Sequence, residues 1–279
     1  MMGCDRISQL PDYLLAQILS HLPIKDCAKT SVLSKSWEFT WLHVTVLDLD
    51  ANDFVYDVKA LPRMLDMFLK FNRGSCLRKF KIKYQKRSDV CSQRVMEWID
   101  EVVHRQVQHL EVEKEMSEVK TADFMPKYLY VSKTLVSLKL VNVGLESPKF
   151  DISLPSLKTM HLENIFYEGN GLLIMQRLLL ASPVLEDLTM DVPLSWKPKK
   201  VVLKKVPRCL SLTLEHVRIN KLTLEGTGTE AVKYFLKNSA VLKKLIVSFK
   251  DLSIRHEETL YRKLITAKKL SPRCQVLVY

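Results

Sequence analysis

The sequence predicts a mixed α/β protein, with a short helical module at the front and an irregular array of strand–helix units behind it. Three observations carry this reading. Leu14, Leu15, Ile18, Leu19 and Leu22 stand at helical spacing between Pro11 and Pro23. From residue 77 onward, a pattern of the form apolar-x-x-apolar-x-apolar recurs eight times. Stretches 60–69, 95–103 and 172–180 hold apolar residues at helical intervals among those units.

The helical module comes first. Pro11 suits the first helical position, where its fixed φ and missing N–H cost nothing. Pro23 ends that helix. Ser34 is a candidate N-cap for a further helix that places Trp37 and Trp41 four apart on one face. Two or three short helices in about forty residues form a bundle too small to stabilise itself. Its apolar positions outnumber what it can hide. Either the following domain or another protein must cover the surplus, and periodicity alone leaves both open.

Residues 44–50 read as a strand. The recurring pattern then falls at Leu77/Phe80/Ile82, Val107/Leu110/Val112, Leu135/Leu138/Leu140 and Leu157/Met160/Leu162. It returns at Leu185/Leu188/Met190, Cys209/Leu212/Leu214, Ile219/Leu222/Leu224 and Leu242/Leu245/Val247. Alternate strand residues point to one face, so the last two positions of each unit enter a core together. Each unit exposes an apolar edge and must stack on its neighbours. Most steps lie near the period of leucine-rich repeats, about 20–29 residues. A step of 10 residues, from Cys209 to Ile219, marks the array as irregular. Ordinary strands of an α/β sheet are the competing reading.

Composition narrows the function classes. The chain has 279 residues, 47% hydrophobic and 27% charged, as in a soluble globular protein. Its most apolar stretch, 172–185, is broken by Gln176, Arg177 and Pro183, so no membrane span is expected. Asp5 and Arg6 stand where a secretory signal needs its apolar core. Cytoplasmic and/or nuclear residence is therefore expected. Cys4, Cys27, Cys76, Cys91, Cys209 and Cys274 are scattered, which favours free thiols over disulfides or a zinc site. The net charge of +12 is concentrated at the end. Residues 193–279 hold 19 Lys+Arg against 6 Asp+Glu, while residues 1–192 hold 24 against 25.

No catalytic, cofactor or metal constellation emerges. Gly226-x-Gly228-x-x-Ala231 between two strand patterns imitates a dinucleotide-binding turn. Glu230 there would repel a pyrophosphate, and Thr227 with Glu230 fits a capping box instead. Glu101-x-x-His104 has the spacing of a di-iron ligand pair, but no second such helix accompanies it. No Gly-x-Ser-x-Gly elbow is present. The lysine clusters at 197–200, 204–205, 243–244 and 268–269 lack interleaved aromatic residues, which disfavours nucleic acid as a partner.

The ordered blocks Leu10-Pro11, Ile18-Leu19-Ser20-His21-Leu22-Pro23 and Ser31-Val32-Leu33-Ser34-Lys35-Ser36-Trp37 resemble an F-box. Tyr13 stands where that family commonly has Glu, and Ser36 where it commonly has Arg. At the other end, Val232-Lys233-Tyr234-Phe235-Leu236, Val241-Leu242-Lys243-Lys244-Leu245-Ile246-Val247 and the closing Cys274-Gln275-Val276-Leu277-Val278-Tyr279 resemble an FBD domain. The order is that of plant-type F-box/FBD/leucine-rich-repeat proteins, whose repeat region is usually longer; residues 192–210 look compressed.

The resemblance implies a short helical F-box over 1–43, an irregular leucine-rich-repeat solenoid over 44–204 and an FBD-type segment over 205–279. It implies a non-catalytic substrate receptor of an SCF-type E3 ubiquitin ligase. A Skp-type adaptor would link it to cullin and RING, and an unknown target protein would bind the repeats and FBD. The adaptor-facing or bundle-supporting set is Leu10, Pro11, Leu14, Leu15, Ile18, Leu19, Leu22, Leu33 and Trp37. No cofactor, metal or membrane is implied. The other readings are a stand-alone repeat scaffold and a nucleic-acid binder using the basic C-terminal third.

Overall fold

The computed structural model describes residues 7–57, 59–71, 77–85, 92–116, 122–191, 206–222, 227–249 and 269–279. It is mixed α/β, with short helices and parallel strands. Two compact units divide the chain, Met1–Leu129 and Tyr130–Tyr279.

The first unit starts with α1 (Asp12–Leu19) and α2 (Ile24–Lys29), then 3-10 turns at Thr30–Val32 and Thr40–His43. Strand β1 (Val46–Asp50), α3 (Ala60–Phe71), β2 (Lys79–Tyr84), α4 (Ser92–His104) and β3 (His109–Lys114) follow. The three strands pair in parallel, with Leu47 opposite Phe80 and Phe80 opposite Leu110. Leu49, Ile82 and Val112 form the next column. All six side chains are buried. The intervening positions bear charge instead: Lys81 reaches Asp48 at 3.0 Å and Lys79 reaches Glu111 at 2.8 Å. Helix α3 buries Leu61, Leu65, Phe68 and Leu69, and α4 buries Val95, Trp98, Ile99 and Val102.

One inward position of β3 departs from the apolar rule. Lys114 is buried, and its Nζ lies 2.9 Å from the buried Asp123 carboxylate. The Tyr84 hydroxyl donates to the same carboxylate at 2.9 Å. Burial, reinforced by that negative charge, raises the Tyr84 pKa above the usual phenol range.

The second unit orders its main strands β4 (Ser137–Val141), β6 (Thr159–Glu163), β8 (Asp187–Asp191), β9 (His216–Leu222), β10 (Lys244–Phe249) and β11 (Gln275–Val278) side by side, all parallel. The short strands β5 (Gly144–Leu145) and β7 (Phe166–Tyr167) pair separately. Helices α5 (Gly171–Ala181), α6 (Arg208–Leu212) and α7 (Thr227–Asn238) connect the later strands. Leu138, Met160, Leu188, Val217, Leu245 and Val276 lie opposite one another in succession.

Several sequence expectations change. The helix expected to start after Ser34 is instead a run of turns and the 3-10 turn at Thr40–His43. The Thr40 hydroxyl donates to the Ser36 carbonyl at 2.8 Å, a local bond that competes with a longer helix. Helix α1 ends at Leu19 rather than Leu22, and Pro23 caps α2. The unit expected at Cys209/Leu212/Leu214 is not a strand: Arg208–Leu212 is helical and Leu212 is exposed. The actual unit is Leu214/Val217/Ile219, all buried. It starts 29 residues after Leu185 and 28 before Leu242, which removes the step of 10. Val44/Leu47/Leu49 is a further unit ahead of the first one read from the sequence. Ile219 and Leu222, three apart, are both buried because Lys221 has φ 56° and breaks the alternation. The neighbouring strand shifts register there, between Val247 and Phe249. Leu224 and the side chains of Thr227 and Glu230, expected to form the capping box, lie outside the described residues.

Candidate functional site

The helical module carries the candidate site. Pro11 caps α1 with φ −56° and ψ 145°, and its carbonyl accepts from the Leu14 and Leu15 amides at 2.9 and 3.2 Å. Proline thus sets the direction in which the helix leaves the preceding segment. Pro23 repeats this at α2, accepting from Asp26 and Cys27 at 2.9 and 3.0 Å. Between them the Ser20 hydroxyl donates to Ala16 O at 2.8 Å, closing α1.

These turns divide the expected residues into two groups. Leu15 and Leu19 are 1% exposed and Trp37 is 7% exposed, so they support the bundle. They pack in a core that also includes Ile24, Cys27, Trp41 and Leu42. The Trp37 indole N–H donates to the Ser8 hydroxyl at 2.7 Å, tying residues 29 apart. That bond fixes the segment leading to Leu10 and Pro11. Leu10 and Leu14 are half-buried. Pro11, Ile18, Leu22 and Leu33 face water.

Four exposed apolar side chains were missed by the sequence reading. Ile7, Tyr13, Val32 and Phe39 are exposed. Val32 and Leu33 are adjacent, and adjacent residues do not share one helix face. That pair was the available signal that at least one of them points outward. Phe39 stacks on Phe71 with centroids 6.1 Å apart and lines a cavity of about 450 Å³ with Trp41, Phe54, Met64 and Met67.

The site's chemistry is burial. Cys27 is a core thiol whose pKa is pushed up to about 11, mainly by desolvation, so it is not a nucleophile at neutral pH. The nearby ion pair of Lys29 with Asp26, at 2.7 Å, is exposed and contributes little. Uncovered Leu, Ile, Val and Pro side chains on a small module gain free energy by meeting another apolar surface.

Other sequence candidates are accounted for by local structure. Glu101 accepts from Arg105 at 2.9 Å. His104 lies 2.8 Å from Asp100 O, its ring 4.1 Å from that of Tyr128. Among the described residues no three His, Cys, Asp or Glu side chains converge as a metal-holding group. No described helix is long and apolar enough to cross a membrane. Cys27, Cys209 and Cys274 are buried free thiols, and Cys4, Cys76 and Cys91 lie outside the described residues. The lysines at 197, 199, 200, 204, 205 and 268 also lie outside them.

The comparisons with known proteins point the same way. Residues 7–47 match the F-box domain, and residues 203–247 match the FBD. An Arabidopsis thaliana F-box/FBD/LRR-repeat protein is 44% identical over 225 residues, covering 81% of this chain. The chain spans about half of that relative's length, 47%. A putative FBD-associated F-box protein of Arabidopsis thaliana is 34% identical, over 98% of this chain and 99% of its own length. A putative F-box/FBD/LRR-repeat protein from the same plant is 30% identical, over 99% and 100%. These two alignments run over 376 and 441 positions against 279 residues in this chain, so both relatives carry additional sequence.

Proposed function

The chain belongs to the plant-type F-box/FBD/LRR-repeat family, and from that premise we propose that it is the substrate-recognition subunit of an SCF-type cullin–RING E3 ubiquitin ligase. The F-box docks a Skp-type adaptor, which connects it to cullin and to the RING-bound, ubiquitin-loaded enzyme. Residues 44–204, read as an irregular leucine-rich-repeat solenoid, and residues 205–279, read as the FBD, hold a target protein. The chain contributes proximity rather than a reacting group: tethering raises the effective concentration of target lysines at the ubiquitin donor. It works in the cytoplasm and/or nucleus.

The observation that carries this reading is the division within the helical module. Leu15, Leu19 and Trp37 hold it together, while Pro11, Ile18, Leu22 and Leu33 remain in water on a segment that matches the F-box domain. The solenoid reading draws support from apolar columns that stay in register from strand to strand, in units 28 or 29 residues apart from Leu157 to Leu242.

The test is capture of the full chain by a purified Skp-type adaptor. Wild type should be retained, and Leu10→Ala with Pro11→Ala should weaken retention more than Lys243→Ala, which removes a surface lysine. Equal retention of the folded double variant would sink the assignment.

A further inference from the structure

The outward face of the strands in the second unit carries an uneven set of charges. One row crosses all six main strands: Lys139, His161, Thr189, Arg218, Ile246 and Leu277 stand opposite one another in turn. None of these six is buried, whereas their neighbours Leu138, Leu162, Leu188, Val217 and Leu245 are. The carboxylates of this face already have partners on it. Glu163 lies 3.2 Å from His161, Asp187 2.7 Å from His216, and Asp191 2.8 Å from Lys221. Among the described residues, the side chains of Lys139, Arg218 and Lys244 make no hydrogen bond or ion pair. The charged side chains of this face that lack a partner among the described residues are therefore all positive; in the row they are Lys139 and Arg218, and beyond Arg218 the row is aliphatic.

We propose that this row binds an extended acidic segment of the target protein, with two carboxylate side chains followed by an aliphatic one. The proposal rests on the reading that this part of the chain holds a target, and it names the chemistry of that target. Adjacent strands lie about 4.8 Å apart, so Lys139 and Arg218, three strands apart, are separated by about 14 Å. An extended peptide rises about 3.3 Å per residue, so its acids fall about four residues apart. Ile246 and Leu277 lie one and two strands beyond Arg218, which puts the aliphatic residue two or three positions after the second acid. Lys244, on the strand beside Arg218, gives the second acid a further positive neighbour.

The spread of the charges favours separate carboxylates over one phosphate, which needs donors converging on a single point. The face also disfavours nucleic acid. Glu163, Asp187 and Asp191 interleave with the bases and would repel a continuous phosphate backbone, and the row offers no Phe, Tyr or Trp ring for stacking.

The test uses the full chain and fluorescein-labelled synthetic peptides with that acid–acid–aliphatic spacing, in both chain directions, read by anisotropy. One direction should bind, and replacing both acids by Asn should weaken it about tenfold or more. Lys139→Glu and Arg218→Glu should each weaken it about fivefold or more, since an exposed ion pair contributes up to about that factor. Added salt should weaken it further. Absent binding, or charge-reversed variants that are folded by circular dichroism and bind as wild type, would overturn the proposal. Single-stranded DNA displacing the peptide at equal concentration would overturn it in favour of a nucleic-acid surface. Adaptor capture without peptide binding defeats this inference alone. Peptide binding without adaptor capture defeats the ligase role and leaves the acidic-segment surface standing.

Discussion

Leu33 and Leu15 differ by one physical property, and that difference sets opposite consequences for the same truncation. Leu33 is 67% exposed and Leu15 is 1% exposed. Full burial of a leucine side chain stabilises by about 1.5–3 kcal/mol. Leu33 obtains about a third of that from its own fold, so Leu33→Ala should cost folding less than about 1 kcal/mol. The remaining two thirds, about 1–2 kcal/mol, is available to a partner that covers it, which is roughly 5–30-fold in Kd. Leu15→Ala instead opens a cavity in the buried core of the helical module, and should cost about 2–5 kcal/mol of stability. The assay pairs a thermal melt with calorimetric titration of a purified Skp-type adaptor. Leu33→Ala should melt near wild type and bind weakly. An adaptor Kd within about twofold of wild type would refute the outward assignment, since such a change is well under 1 kcal/mol. A Leu15→Ala variant with an unshifted melt would refute the core assignment.

Two further outcomes follow from buried polar groups. Asp123→Asn keeps the side-chain shape and removes the buried carboxylate charge beside Lys114, at a cost of about 3–5 kcal/mol, measured by calorimetric unfolding. Replacing Lys114 by Met in the same chain should recover much of that loss; no recovery would show that the pair is not the cause. Alkaline pH should also destabilise the fold. Burial raises Cys27 and Cys209 from an ordinary 9.0 to about 11, so the folded state holds these protons more tightly than the unfolded one. Their contribution is complete below pH 9 and is lost as pH rises through about 11. Tyr84, Tyr130 and Tyr167, whose pKa values burial also raises, act in the same direction at still higher pH. Urea midpoints compared at about pH 8 and pH 10.5 check this, and equal midpoints would contradict the burial of both thiols.

Much of the fold was legible because its periodicities are strong. The helices read at 60–69, 95–103 and 172–180 lie inside α3, α4 and α5. Six of the eight strand units fell on strands, because inward and outward residues alternate with little exception. The errors came where local chemistry mattered more than pattern. Cys209, Leu212 and Leu214 satisfy the strand template, but Pro207 starts a helical turn there. The run after Ser34 has helical spacing but ends in turns held by Ser36 and Thr40. Val44/Leu47/Leu49 fitted the template and was read only as a strand.

Sequence by itself determined which residues are apolar, that Pro11 starts a helix, and the order of the blocks that resemble the two terminal domains. These follow from local sterics and from spacing along the chain. Tertiary packing decided the rest. Whether Leu33 faces water while Leu15 does not, whether a buried Lys114 finds Asp123, and whether residues of six strands share one row depend on residues far apart in sequence. Solvent exposure and charge pairing belong to the assembled surface, and no local window of the chain contains them.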